Sequence, residues 1–572
     1  MKKKVLSVLL ATAMVLSLTA CGQSADAPAA TETEAVEEPA AEVEEPAAEV
    51  EEPAEEPSEL VDGKFAETRH ITVEVYDRGN DGGTDPTNNM YTDYIKQGML
   101  DKYNVEVEFV AVPRWTEVEE INNLLAGGTA PDICLTYDYA TIQTYAAMGG
   151  VIDLASYVDD YKDLLPNLWA WLGEDNIYYD KDPSEGTIWA IEGKRNNVNR
   201  ITTFVRQDWL EALDMKAPTT TQEFEDMLVA FQENADTLLG KDAKKMVPFS
   251  ISYDVGWRAA NIIESYIDPA ITDKEFYVNG FDDRKLTENG TKEAVRLLNK
   301  WYNQGLIWKD FALYGSGDTT EDDMMKAGYV GAFMHNFDYP FRNGDDSINA
   351  NLQRLVGENA KFVAVDCFQA SNGKYQKWSY SSAGDRKIFF PTTNDEPLAS
   401  MLYLDWISDP ANIQYLQLGD EGVTHEVLES GAVQTLTVEG PAIMNSGNNI
   451  DLTITCNGLK LTDEALTEES IAYGYGSGET DPQVVIGSIK TCQTDALMPK
   501  AVNVGAIEAE EGMGEALSAK RDVAYDTAVV AAEADFDSVW DAALEDYLSS
   551  GGADIQAERA EKWDATYGRD ML

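Results

Sequence analysis

His70-Ile71-Thr72-Val73-Glu74-Val75-Tyr76 alternates apolar and polar residues with the two-residue period of a strand. A polar, Gly/Asp-rich loop over 77–89 leads from it into a helical pattern over 91–103 and a second alternating stretch over 105–112. A further helical pattern over 115–125 puts Val118, Ile121, Leu124 and Leu125 on one face and stops at Gly127-Gly128. Strand–helix–strand units at this spacing predict an α/β body with a largely parallel sheet and crossover helices.

The chain around this segment has 572 residues and a formal net charge of -59, with 43 Lys and Arg against 102 Asp and Glu. That balance excludes recognition of nucleic acid or an anionic membrane through a basic face. Apolar residues make up 44% of the chain, enough for a large core, so global disorder is excluded as well. The charge is unevenly spread. Residues 24–60 hold fourteen acids and no base, and the unit VEEPAAE recurs there in seven-residue steps from Val36, Val43 and, with one change, Val50. Pro39, Pro46 and Pro53 rule out a coiled coil, since mid-helix proline costs about 3 kcal/mol. Like charges and proline predict an extended tether.

Ahead of the tether, MKKKVLSVLLATAMVLSLTACG has the basic start, apolar run and small-residue end of a secretory signal. Its last residues, Leu18-Thr19-Ala20-Cys21-Gly22, resemble the bacterial lipobox. The resemblance implies a signal peptide over 1–20, a lipid on Cys21 that anchors the chain to the outer face of the cell membrane, and a tether over 21–65.

Leu125-Ala126-Gly127-Gly128-Thr129-Ala130-Pro131-Asp132-Ile133 resembles the helix–turn–strand signature of the extracellular solute-binding proteins of carbohydrate ABC importers. Gly149-Gly150-Val151-Ile152-Asp153-Leu154, Gly186-Thr187-Ile188-Trp189-Ala190-Ile191 and Val205-Arg206-Gln207-Asp208-Trp209-Leu210 resemble later family elements, as does Pro218-Thr219-Thr220 with Glu223. Thr220 with Glu223 also reads as a capping box. Residues 291–306 and 328–334, Gly419-Asp420-Glu421-Gly422-Val423 and a terminal helix over 536–548 continue the series across about 70–565. The resemblance implies a type 2 periplasmic-binding fold: two hinge-connected α/β lobes with ligand in the cleft between them. Lobe one is placed at 66–200 plus 366–428, and lobe two at 201–365 plus 429–572. The chain departs from the family pattern near 430–455, read as an inserted hairpin or a longer hinge connection.

Nothing in the sequence demands a reaction. Only His70, His335 and His425 are present, and there is no GxSxG elbow, HExxH motif, phosphate-cradling loop or EF-hand loop. No catalytic residue, metal ligand or cofactor is assigned. Cys134 reads as core, and a Cys456–Cys492 bridge is left open. Binding is better supported, by 12 Trp and 27 Tyr. A pyranose packs its C–H face on an aromatic ring and gives its hydroxyls to carboxylates, amides and arginine. Trp209 and Trp301 read as core, and Trp169 and Trp171 as surface or lobe packing. The ligand-binding candidates are Arg78, Asp85, Tyr137, Asp138, Trp257, Asn336, Phe337, Trp378 and Ser382, chosen because they sit in polar turns or follow cleft-edge strands. The resemblance implies a monomeric binding protein that captures an oligosaccharide and delivers it to permease subunits. The alternatives are a lipid-anchored carbohydrate-active enzyme using paired carboxylates, or the same fold holding a peptide or another solute.

Overall fold

A computed structural model describes residues 60–572 except 80–83, 283, 316, 437, 439, 445, 476–480 and 569–572. The expected signal peptide, lipid on Cys21 and tether up to residue 59 lie outside the described residues, but 60–65, placed in the tether, instead pair as Leu60–Val61 with Lys64–Phe65, and Phe65 enters the core. The opening alternation becomes the strand Arg69–Asp77, paired in parallel along its whole length with Val105–Pro113. Between them the helix Met90–Tyr103 starts at Asn89, whose side chain accepts from the Tyr91 and Thr92 amides in a capping box with Thr92. The 115–125 pattern begins later than expected: Arg114–Thr116 is a short 3-10 turn, and the α-helix runs Glu117–Gly127. That shift leaves Trp115 73% exposed.

Ile133 adds a parallel bridge to Val73, and Cys134–Thr136 then pairs antiparallel with Lys387–Phe389, which pairs antiparallel with Ile191–Glu192. The second sheet runs Phe362–Val365, Ile201–Arg206, Val330–Asn336, Val247–Ser250. Only the pairing of Val330–Asn336 with Val247–Ser250 is parallel there. The sheets are therefore mixed rather than largely parallel. Lys387–Phe389 enters lobe one from the other lobe and so runs against its neighbours. At the helix Thr221–Glu233, Thr220 accepts from the Glu223 amide, while the Glu223 carboxylate returns to Thr219, one residue earlier than a capping box requires.

Two large apolar cores divide the body. The first takes residues from Phe65 to Ile191, from Ile388 to Leu416, and Leu452, Ile454 and Cys456. The second takes residues from Ile201 to Phe368 and from Ala472 to Ile555, with Trp209 and Trp301 fully inside. Trp171 is buried as well, donating its indole N–H to the Thr455 carbonyl. Cys367 and Phe368 still pack in the second core, and 452–456 returns to the first, so both later crossings fall further along the chain than the boundaries at 366 and 429. Cys456 and Cys492 lie in different cores, and both are free thiols.

The chain thus passes between the cores three times, and the passes hydrogen-bond to one another. The Gly193 and Arg195 amides donate to the Arg386 and Ser382 carbonyls, the Lys194 and Asn196 amides to Thr455 and Asn457, and the Tyr380 amide to Val198. The first pass is the middle of the three. A Cβ on Gly193 would lie 2.7 Å from the Ile454 carbonyl oxygen, so the close approach admits only glycine. Asp385 binds all three passes: it accepts from Arg195 at 2.5 Å and from the Asn457 amide at 2.8 Å.

Burial pushes two second-lobe carboxyls, Glu288 and Asp526, up to about 7 from ordinary values of 4.5 and 3.8. Between those values the folded chain holds protons that the unfolded chain has released, so stability falls as pH rises towards 7 and levels off above it. Urea midpoints measured from pH 4.5 to 8 should show this decline, and Glu288→Gln with Asp526→Asn should flatten it. An unchanged slope in the double variant would refute the assignment.

Candidate functional site

Open α/β sheets bind ligands beyond the carboxyl ends of their strands. Those ends carry Arg78, Arg114 and Tyr137 on the first lobe and the 251–258 turn with Asn336 on the second. The turn is built by Asp254, which adopts φ 54°, accepts from the Trp257 amide to start a helical turn, and holds the Arg284 guanidinium at 2.8 Å. Beneath it Arg258, fully buried, donates to both oxygens of Glu321 at 2.6 and 2.7 Å and to the Met334 carbonyl at 2.7 Å. Ser250 donates to the same carboxylate at 2.5 Å. The Trp257 turn and the end of the Val330–Asn336 strand are thereby fixed by one network.

Arginines and rings interleave at the centre. Arg114 lies 4.6 Å from the Tyr137 ring centre and 5.1 Å from that of Tyr76. Arg195 lies 4.3 Å from the ring of Tyr380, and Arg200 and Arg284 lie 4.7 and 4.6 Å from that of Trp257. The Trp257 and Tyr380 rings are 6.3 Å apart. Burial pushes the Tyr380 phenol up, while Arg200, Arg195, Arg342 and Arg284 pull it down. Half-buried rings with guanidinium groups at this range are cation–π pairs, which keep the aromatic surface rigid.

Two cavities are lined by residues of both lobes, and the smaller takes Arg195 and Tyr380 from this cluster. The larger, about 1190 Å³, takes Asp138, Tyr179, Asp180 and Lys387 from the first lobe and Tyr277, Phe281, Asp282 and Arg521 from the second. The smaller, about 660 Å³, is lined by Arg195, Asn197, Asn199 and Tyr380 of the crossings and by Asn336, Phe337 and Arg342 of the second lobe. Val433, Leu436, Met444 and Ile450, within the stretch that departs from the family pattern, line it too. Among the described residues the one regular pairing there, His425–Val427 with Val433–Thr435, straddles the start of that stretch rather than forming a hairpin within it, and 452–456 then returns to the first core.

The candidate residues separate into three groups. Asp138 lines the larger cavity and accepts from the Thr141 hydroxyl, while Asn336 and Phe337 line the smaller, Phe337 mostly within the core. Tyr137, Trp257 and Arg78 belong to the interleaved cluster or its edge. Arg78 is bidentate to Asp451 at 2.6 and 2.8 Å, with its guanidinium 5.9 Å from the Trp115 ring. The other three, like Tyr137, Trp257 and Arg78, line neither cavity. Asp85 is an exposed carboxylate folded back onto Thr87, where it shapes the approach to the Met90–Tyr103 helix. Trp378 is buried, stacked on Phe276 at 4.9 Å, and its amide donates to Glu264. Ser382 contributes its carbonyl to the Arg195 amide, a hinge role. Tyr380, Arg114 and Trp115 were missed. Tyr380 lies two residues after Trp378, past the point where strand pairing at Lys377–Trp378 ends and the chain enters its crossing.

The model of the family described as bacterial extracellular solute-binding protein matches residues 92–437. The chain belongs to this family. Among curated relatives of this solute-binding protein, the polygalacturonan/rhamnogalacturonan-binding protein YtcQ of Bacillus subtilis is 23% identical over 327 residues, 56% of this chain and 61% of the relative. Lipoprotein LipO of the same organism is 26% identical over 279 residues, 45% of this chain and 51% of the relative. The chain thus spans only about half to three-fifths of the length of these relatives. A solved structure of the S. pneumoniae ABC-transporter substrate-binding protein FusA, an EF-hand mutant in complex with fructo-nystose, superposes with a TM-score of 0.60 at 15% identity, covering 88% of this chain and all of that one. The two-lobed α/β fold is therefore that of the solute-binding proteins.

Proposed function

We propose that this solute-binding protein captures an oligosaccharide between its lobes and delivers it to the permease of an ABC importer. The observation that carries the reading is the interleaved arrangement of Tyr137, Tyr380 and Trp257 with Arg114, Arg195 and Arg284, from which Arg195 and Tyr380 line the smaller cavity. Rings offer faces to sugar C–H groups, and the surrounding polar side chains take the hydroxyls. The relative named for polygalacturonan and rhamnogalacturonan binding and the structural neighbour in complex with fructo-nystose point the same way. A ligand that touches both lobes favours their closed arrangement, and this is how binding becomes a signal to the permease. The chain acts as a monomer, held at the outer membrane face by the lipid that the Leu18–Gly22 lipobox places on Cys21.

Binding without turnover is the expected chemistry. Asp180 and Glu192 are both driven towards protonation by burial, but Glu192 is fully enclosed beside Lys387 at 3.2 Å, shut off from a cavity ligand. Incubating the chain with an oligosaccharide panel should give saturable thermal stabilisation and no shorter sugars by chromatography. Released fragments would instead establish an enzyme. Fractionation of cells producing the full chain should place it with the membranes, labelled by lipid.

A further inference from the structure

Among the described residues, the basic side chains that line the cavities are all paired. There are five, and each already holds a carboxylate. Arg195 pairs with Asp385 at 2.5 Å and Arg342 with Asp338 at 2.7 Å in the smaller cavity. In the larger, Arg559 pairs with Glu510 at 2.5 Å, and Arg521 with Asp282 and Lys387 with Glu192 each at 3.2 Å. The arginines of the central cluster are committed in the same way: Arg114 to Glu117, Arg200 to Glu264 and Arg284 to Asp254. The larger cavity is lined by eight acidic against three basic side chains. A carboxylate or sulfate brought there meets a repelling field and gains a cation only by breaking an existing pair.

A hydroxyl meets no such barrier. It donates and accepts at once, and a guanidinium beside a carboxylate presents a spare N–H next to a spare lone pair. The smaller cavity adds the amides of Asn197, Asn199, Asn336, Asn448 and Asn457, which have the same double character. The side-chain Oδ1 of Asn336 is buried with no partner, an acceptor waiting for a donor.

We infer that the cleft selects an uncharged oligosaccharide, free of carboxylate and sulfate groups. This rests on the saccharide reading above and narrows it, in contrast to the pectic polyanion for which one relative is named.

The test is calorimetric titration of the full chain with oligogalacturonides as free acids, with the same oligomers fully methyl-esterified, and with neutral fructo-, xylo-, manno- and malto-oligosaccharides, at low and high salt. The tightest binders should be neutral, their affinity should change by less than about 2-fold with salt, and any sugar offered in both forms should bind at least about 10-fold more weakly as the free acid. A free acid that binds as tightly as its ester, or more tightly with loss of affinity in salt, overturns the inference while leaving sugar capture standing. No binding by any saccharide overturns sugar capture itself, and this inference with it.

Discussion

Arg258→Ala should lower the stability of the second lobe by about 3–5 kcal/mol, the loss expected when one member of a buried ion pair is removed. The side chain is 1% exposed and fills three roles at once: both Glu321 oxygens and the Met334 carbonyl take its N–H groups. Without it Glu321 is left charged in the interior, with the Ser250 hydroxyl still donating to it at 2.5 Å. The cost comes chiefly from that stranded charge. Arg258→Met with Glu321→Leu should therefore recover much of the loss, since an apolar pair of similar volume satisfies itself. Urea unfolding followed by tryptophan fluorescence reads both variants. A loss below about 1 kcal/mol in the single variant, or a double variant no better than the single one, would contradict the account.

Tyr380→Ala should weaken sugar binding by about 10- to 100-fold, or ~1.4–2.7 kcal/mol, with the fold intact. The ring is half-buried at the crossing, under Arg195 at 4.3 Å and beside Trp257 at 6.3 Å, and it borders the smaller cavity. Its backbone amide, not its side chain, makes the hinge hydrogen bond to Val198, so truncation spares the crossing. Tyr380→Phe keeps the stacking face and should lose less than Tyr380→Ala. Titration calorimetry separates the two, and an affinity unchanged by the alanine variant would remove Tyr380 from the site.

The sequence carried the architecture well because local patterns encode it. The alternation at 70–76, the helix over 91–103 and the burial of Trp301 all follow from periodicity, and the structure keeps them nearly to the residue. Pairing direction was less legible, since it depends on which lobe a strand arrives from, as with Lys387–Phe389. The site was harder still. Trp378 and Tyr380 stand two apart in the same polar stretch, yet one stacks inside on Phe276 and the other borders a cavity. Composition treats the two alike. What separates them is the end of a two-residue strand pairing, a tertiary fact. Trp115 was hidden by a similar shift, because a turn replaced the first helical residues and turned its ring outward.

The three crossings also set an order of events during synthesis. The first lobe's core needs Phe65 at one end and Leu452, Ile454 and Cys456 at the other, so about four-fifths of the chain must emerge before that lobe can complete itself. The second lobe waits longer, for the helices that carry Trp540 and Ile555. Neither half can complete its core while the chain is only half made.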